Sequence, residues 1–154
     1  MIHPLPPATR VAALIFVDQT ECRWLRGLKR GFRHCFTALP CKGGWLVCDP
    51  LKNRIELALV QLPPSLDLPA VYAAQGHRVL LGRLRVMPAR PRVLAPLTCV
   101  EIAKRLVGVR APLVLTPWQL FCHLQRPTPG RPCWRPVVAS DAFAAANQCL
   151  TETG

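Results

Sequence analysis

A chain of 154 residues, 51% of them hydrophobic, has enough apolar surface for one compact domain with a core. Its 20 basic residues outnumber 8 acidic ones, and the resulting +12 charge favours acidic partners such as nucleic acid or anionic polymers. No apolar run reaches the roughly 18 to 20 residues of a membrane-spanning helix, which excludes that class of integral membrane protein as an expectation.

Residues 1–10 are proline-rich and read as an irregular arm without the basic start of a signal peptide. Folding in the cytoplasm follows as the expectation. Val11–Val17 is short, apolar and β-branched, the pattern of a buried strand. Thr20 to Arg30 reads as a helix with Trp24, Leu25 and Leu28 on one face and Gly31 as its stop. Its other face carries Arg23, Arg26, Lys29 and Arg30, the densest basic cluster in the chain.

Phe32–Leu39 and Trp45–Asp49 read as strands joined by the turn-forming Pro40-Cys41-Lys42-Gly43-Gly44. Asn53–Leu62, where Ile55, Leu57 and Leu59 alternate with Glu56 and Ala58, makes a third strand of this group. After a loop, Ala70–Gln75 forms a helical turn, and His77–Val86 alternates basic with apolar residues as a half-exposed strand. A connection from Met87 to Pro96 leads to a helix from Cys99 to Gly108. Thr116, Pro117 and Gln119 open another helix that runs to about Arg126, with Thr as cap and Pro in the first turn. The remainder, 127–154, reads as a Pro-rich irregular tail with a small alanine-rich segment, Asp141–Gln148. The order predicts an α+β domain over 11–126, an antiparallel sheet with helices packed on it.

Thr98-Cys99-Val100-Glu101 is the most chemically informative stretch. Thr and Glu three apart before an apolar periodic run form a capping-box pattern, which puts Cys99 in the first helical turn. Unpaired N–H groups and the helix dipole favour an anion there, hence a nucleophilic thiolate. His34 and Asp49 stand on the two hairpin strands as base and orienter. A turn centred between Cys41 and Lys42 makes cross-strand partners add to 83 and sets His34 directly opposite Asp49. A slip of two residues leaves them diagonal neighbours, and a slip of one sends them to opposite faces.

At these residues the chain resembles the circularly permuted branch of the NlpC/P60 papain-like superfamily, which includes LRAT-like and YiiX-like proteins. The likeness rests on Phe32-Arg33-His34-Cys35-Phe36, on Val47-Cys48-Asp49, and on Thr98 to Leu106, with the histidine strand ahead of the cysteine helix. It implies a papain-like fold, Cys99 as nucleophile, His34 as base and Asp49 as the third polar residue. It also implies thiol-dependent hydrolysis of amide or peptide bonds, cell-wall peptides included, or acyl transfer, with a peptide or acyl substrate and no cofactor. Small chains of this appearance also look similar to phage products, which would associate the protein with a virion.

Two other readings stand beside this one. His34, Cys35, Cys41 and Cys48 offer nitrogen and sulfur to a metal, although strand neighbours His34 and Cys35 point to opposite faces and no CxxC spacing is present. Alternatively, the chain is a non-catalytic basic module that meets an acidic polymer or nucleic acid through Arg23, Arg26, Lys29 and Arg30. His77 and His123 receive no role. Several of the eight cysteines fall in apolar stretches and read as small hydrophobes, with reduced thiols as the expected state.

Overall fold

A computed structural model describes residues 11–20, 23–63, 65–85, 98–127 and 134–138. The expected arm 1–10, the connection 87–96 and the alanine-rich segment 141–148 lie outside these residues. Among the described residues the chain forms an α+β fold in which six strands run in the order β4-β3-β2-β1-β5-β6, each antiparallel to its neighbours. The strands are β1 (Val11–Val17), β2 (His34–Cys41), β3 (Gly44–Pro50), β4 (Ile55–Val60), β5 (Arg78–Arg83) and β6 (Arg135–Pro136). Three α-helices accompany them: α1 (Leu68–Ala74), α2 (Cys99–Val107) and α3 (Pro117–Gln125).

The unbroken apolar run of β1 has a simple cause. Ala12, Leu14 and Phe16 join the cluster that includes Val100, Ala103 and Val107 of α2 and Leu120 and Leu124 of α3. Ala13, Ile15 and Val17 join the opposite cluster with Leu68 and Ala73 of α1. A strand covered on both faces has no reason to alternate.

Several expected boundaries shift. The helix over Thr20–Arg30 shrinks to a 3-10 helix, Arg23–Gly27, closed by the Leu28 N–H on the Leu25 carbonyl at 3.0 Å. Gly27 falls inside the expected α-helix, where its backbone entropy opposes continuation. The β2–β3 turn is the two-residue Lys42-Gly43, with Gly43 at a φ of 87°. Glycine tolerates that left-handed backbone, so the turn lies one position later than expected and cross-strand partners add to 85. Ile55, Leu57 and Leu59 alternate as expected but remain exposed on the edge strand β4.

The tail also needs correction. Within 127–154, residues 135 and 136 pair with β5, and Trp134 is buried in the cluster beneath α2. Its indole covers Gly82, where any β-carbon would collide with the ring. The fold therefore extends past 126, and Gly82 is the β5 residue that permits it.

Candidate active site

Two devices fix the start of β2. Asp18 accepts hydrogen bonds from the Gly31 N–H at 2.7 Å and from Arg33 Nη1 at 3.3 Å, and the Arg33 N–H donates to the Val17 carbonyl. Phe32 packs its ring against Phe16, Trp118 and Phe121, with centroids 4.8 to 5.7 Å apart. The residue after these anchors is His34, paired in register with Val17.

Asp49 comes from the end of β3. The β2–β3 ladder ends at Thr37 opposite Cys48, and continuing this register would set Asp49 across from Phe36 rather than His34, which makes His34 and Asp49 diagonal neighbours on one face. Diagonal spacing is within reach of an imidazole and a carboxylate, and His34 Nε2 lies 2.6 Å from Asp49 Oδ1. Directly across from Asp49 on β4 stands a second carboxylate, Glu56, whose charge is met by Arg54 Nε at 2.7 Å. Asp49 is thus left to the histidine.

The Cys99 helix arrives from the other face of the sheet. Thr98 caps it, its Oγ1 accepting from the Glu101 N–H at 3.2 Å. The Glu101 carboxylate pairs with Lys104 and Arg105 at 2.8 and 2.9 Å. Lys104 is buried and also donates to the carbonyls of Ala111 and Val114, at 2.9 and 3.0 Å, tying α2 to the loop ahead of α3. At the far end Gly108, at a φ of 72°, closes the helix where a side chain would strike the Arg85 carbonyl. Held at both ends, α2 packs on β2 and β3.

Cys99, Cys35 and His34 meet at this corner. Cys35 lies in the core cluster on the α2 side, and half-buried Cys99 packs against that cluster. Strand alternation assigns His34 to the opposite face, with Phe36, so its ring meets the sulfur at the strand terminus. The hydrogen bond with the Cys35 thiol is the largest cause lowering the Cys99 pKa. With the His34 ring and the Cys35 backbone N–H it overcomes burial and brings that pKa to about 5. Burial opposes the charge on His34, but bonding to Asp49 and Cys99 outweighs it and raises the ring pKa to about 9. Around neutral pH the resting pair is thiolate and imidazolium. With Nε2 committed to Asp49, Nδ1 is the ring nitrogen left for the sulfur.

All three residues singled out from the sequence therefore come together. Cys35 was missed as a partner of Cys99: the sequence offers it only as a metal ligand, and a strand cysteine otherwise looks like core filling. Its signal was the strand parity that puts it, and not its neighbour His34, toward the helix. The metal reading loses its ligand set: Cys41 sits at the β2–β3 turn, and no group of three or more His, Cys, Asp or Glu among the described residues is arranged to hold an ion. Arg23, Arg26, Lys29 and Arg30 are exposed, and Lys29 Nζ lies 3.1 Å from the centroid of the Trp118 ring. Among the described residues no helix is long and apolar enough to cross a membrane. Comparison with known proteins adds nothing to this geometry: no family model, no curated protein and no solved structure matches the chain.

Proposed function

We propose that the protein is a thiol-dependent hydrolase or acyltransferase of the permuted papain-like kind, acting on an amide, peptide or ester carbonyl. The observation that carries this reading is the His34–Asp49 hydrogen bond of 2.6 Å with the thiolate of Cys99 beside the same ring. A base oriented by a carboxylate, next to a sulfur already ionised, is the arrangement nucleophilic catalysis needs.

The Cys99 thiolate attacks the carbonyl carbon, and the negative charge moves to the carbonyl oxygen. The Thr98 cap uses the Glu101 and Ile102 N–H groups, so those of Cys99 and Val100 are the first-turn donors it does not use. At the mouth of the helix these two donors would stabilise the oxyanion. As the tetrahedral intermediate collapses, the leaving amine or alkoxide takes the proton from His34, and an acyl-thioester remains on Cys99. Neutral His34 then removes a proton from water or another acceptor, whose oxygen or nitrogen attacks the thioester. Collapse expels the thiolate and restores the resting ion pair. Asp49 keeps a hydrogen on Nε2 throughout, so the proton is exchanged at Nδ1.

An activated ester such as p-nitrophenyl acetate tests the reading without knowledge of the natural substrate. Intact and peptide mass spectrometry should find the acetyl group on Cys99 within the first turnover, with release of nitrophenolate, and find neither in Cys99→Ala. Acetylation spread equally over Cys41 and Cys122 would overturn it.

A second reading is favoured by the exposed cluster Arg23, Arg26, Lys29 and Arg30. As a basic module the protein would bind nucleic acid with a steep loss of affinity on adding salt, and Cys99→Ala would leave that binding unchanged.

A further inference from the structure

The proposed hydrolase chemistry gives no covalent task to Cys35, yet this thiol lies beside the nucleophile. It is fully buried in the core between β2 and α2, while Cys99 packs on the same cluster with part of its surface open to solvent. Hydrogen bonding with Cys99, together with burial, pushes the Cys35 pKa well above its ordinary value, so it holds its proton and donates to the Cys99 thiolate. One sulfur is thus ionised and reachable, and the other is protonated, sealed and within hydrogen-bonding reach of the first. That is the division of labour between a peroxide-sensing cysteine and its resolving partner.

We propose that Cys99 and Cys35 form a reversible oxidative modification site, in which a peroxide converts the two thiols to an intramolecular disulfide that disarms the nucleophile. The Cys99 thiolate attacks one oxygen of hydrogen peroxide, the O–O bond breaks, and the departing hydroxide takes a proton to leave as water. Cys99 is now a sulfenic acid. The Cys35 sulfur attacks the Cys99 sulfur, an S–S bond forms, and the S–O bond breaks. The Cys35 proton departs with the hydroxyl as a second water. Two electrons pass from the two thiols to one peroxide, and a dithiol reductant returns them. Capture by Cys35 keeps Cys99 from the irreversible sulfinic stage.

The inference rests on the ionised Cys99 of the proposed function and is independent of which carbonyl compound is the substrate. The test is made on the wild-type chain. After stoichiometric hydrogen peroxide, free thiols are blocked with N-ethylmaleimide and the digest is mapped for linked peptides. A Cys35–Cys99 link is expected, with loss of iodoacetamide labelling at Cys99 and full recovery after dithiothreitol. In Cys35→Ser and Cys35→Ala a dimedone adduct should accumulate on Cys99, and excess peroxide should prevent recovery by dithiothreitol. Rapid iodoacetamide labelling of Cys99 at pH 6 without any Cys35 link after peroxide would overturn the inference and leave the hydrolase reading standing. A link from Cys99 to Cys41 or Cys122 would overturn it as well. Absence of selective Cys99 labelling at pH 6 would sink both.

Discussion

The mouths of α2 and α3 are built alike and do different things. Each opens on a threonine whose Oγ1 accepts the third-residue N–H at 3.2 Å, Thr98 from Glu101 and Thr116 from Gln119. Each is followed by an amphipathic run that packs on the same core cluster. In α3 the cap is a complete capping box, and the first helical residue is the buried Pro117, which offers no N–H and no nucleophile. In α2 the equivalent residue is Cys99, and the sheet brings His34, Asp49 and Cys35 to meet it. A cap therefore defines where a helix starts, and the opposing strand termini decide whether that start is a site.

Removing the sulfur is the largest expected break of this contrast. Cys99→Ala should abolish site-selective alkylation by iodoacetamide at pH 6, while Cys122 in α3 keeps whatever labelling it has. Peptide-level mass spectrometry gives the readout. In the wild type the pH dependence separates thiolate from imidazolium. Alkylation needs only the thiolate, so its rate should fall as pH drops through about 5 and stay high on the alkaline side. Hydrolysis of an amide or alkyl ester, whose leaving group needs the proton on His34, should fall again as pH rises through about 9. A hydrolysis profile still rising at pH 10 would remove His34 as the acid.

Replacing the histidine is the next step down. His34→Ala removes the ring's share of the Cys99 pKa lowering and leaves that of Cys35, so the thiolate fraction at pH 6 should drop by less than the roughly 10³ of a full return to an ordinary thiol. A more basic thiolate is also a better nucleophile, with a Brønsted slope of about 0.4–0.5, which restores roughly 50-fold. The net expectation is alkylation slower by no more than about 10-fold. Ester turnover should lose far more, on the order of 10² to 10⁴, because proton transfer is lost with the ring. Equal losses in both assays would mean that His34 only orders the structure.

Lys104 tests what holds the two helix mouths in place. It is 4% exposed and satisfied by Glu101 and by the carbonyls of Ala111 and Val114. Lys104→Met keeps the length of the stem but strands those acceptors, with an expected cost of about 3 kcal/mol. Thermal unfolding should show it as a fall in Tm of about 10 °C. A change within one or two degrees would mean that water replaces the ammonium at this loop.

The sequence was most legible where one local rule acted alone. The apolar run of β1, the caps at Thr98 and Thr116 and the stop at Gly108 each follow from chemistry within a few residues, and each stands where expected. The hairpin was legible only to within its turn. Lys42-Gly43 and Cys41-Lys42 differ by one position, and that difference moves the register by two, which happened to preserve the face shared by His34 and Asp49. Three features depended on partners distant in sequence and carried no local mark. These are the burial of Trp134 over Gly82, the Phe32 ring against Trp118 and the contact of Cys35 with Cys99. The exposed Ile55, Leu57 and Leu59 show the converse: alternation was correct, but periodicity says nothing about whether a second layer covers the face.

The smallest effect is the sharpest test of the contrast between the two helices. Thr98→Ala and Thr116→Ala each delete one cap acceptor, and each should cost about 1 kcal/mol in chemical denaturation. Stability alone cannot distinguish them. Cys99 reactivity should, because fraying the first turn of α2 moves the sulfur away from the Cys35 thiol and the His34 ring, the contacts that hold its pKa near 5. Thr98→Ala is therefore expected to shift the alkylation midpoint of Cys99 toward higher pH, and Thr116→Ala to leave it in place. An equal midpoint shift in both variants would mean that reactivity follows global stability. No shift in either would mean that the strand residues hold the thiolate whatever the helix does.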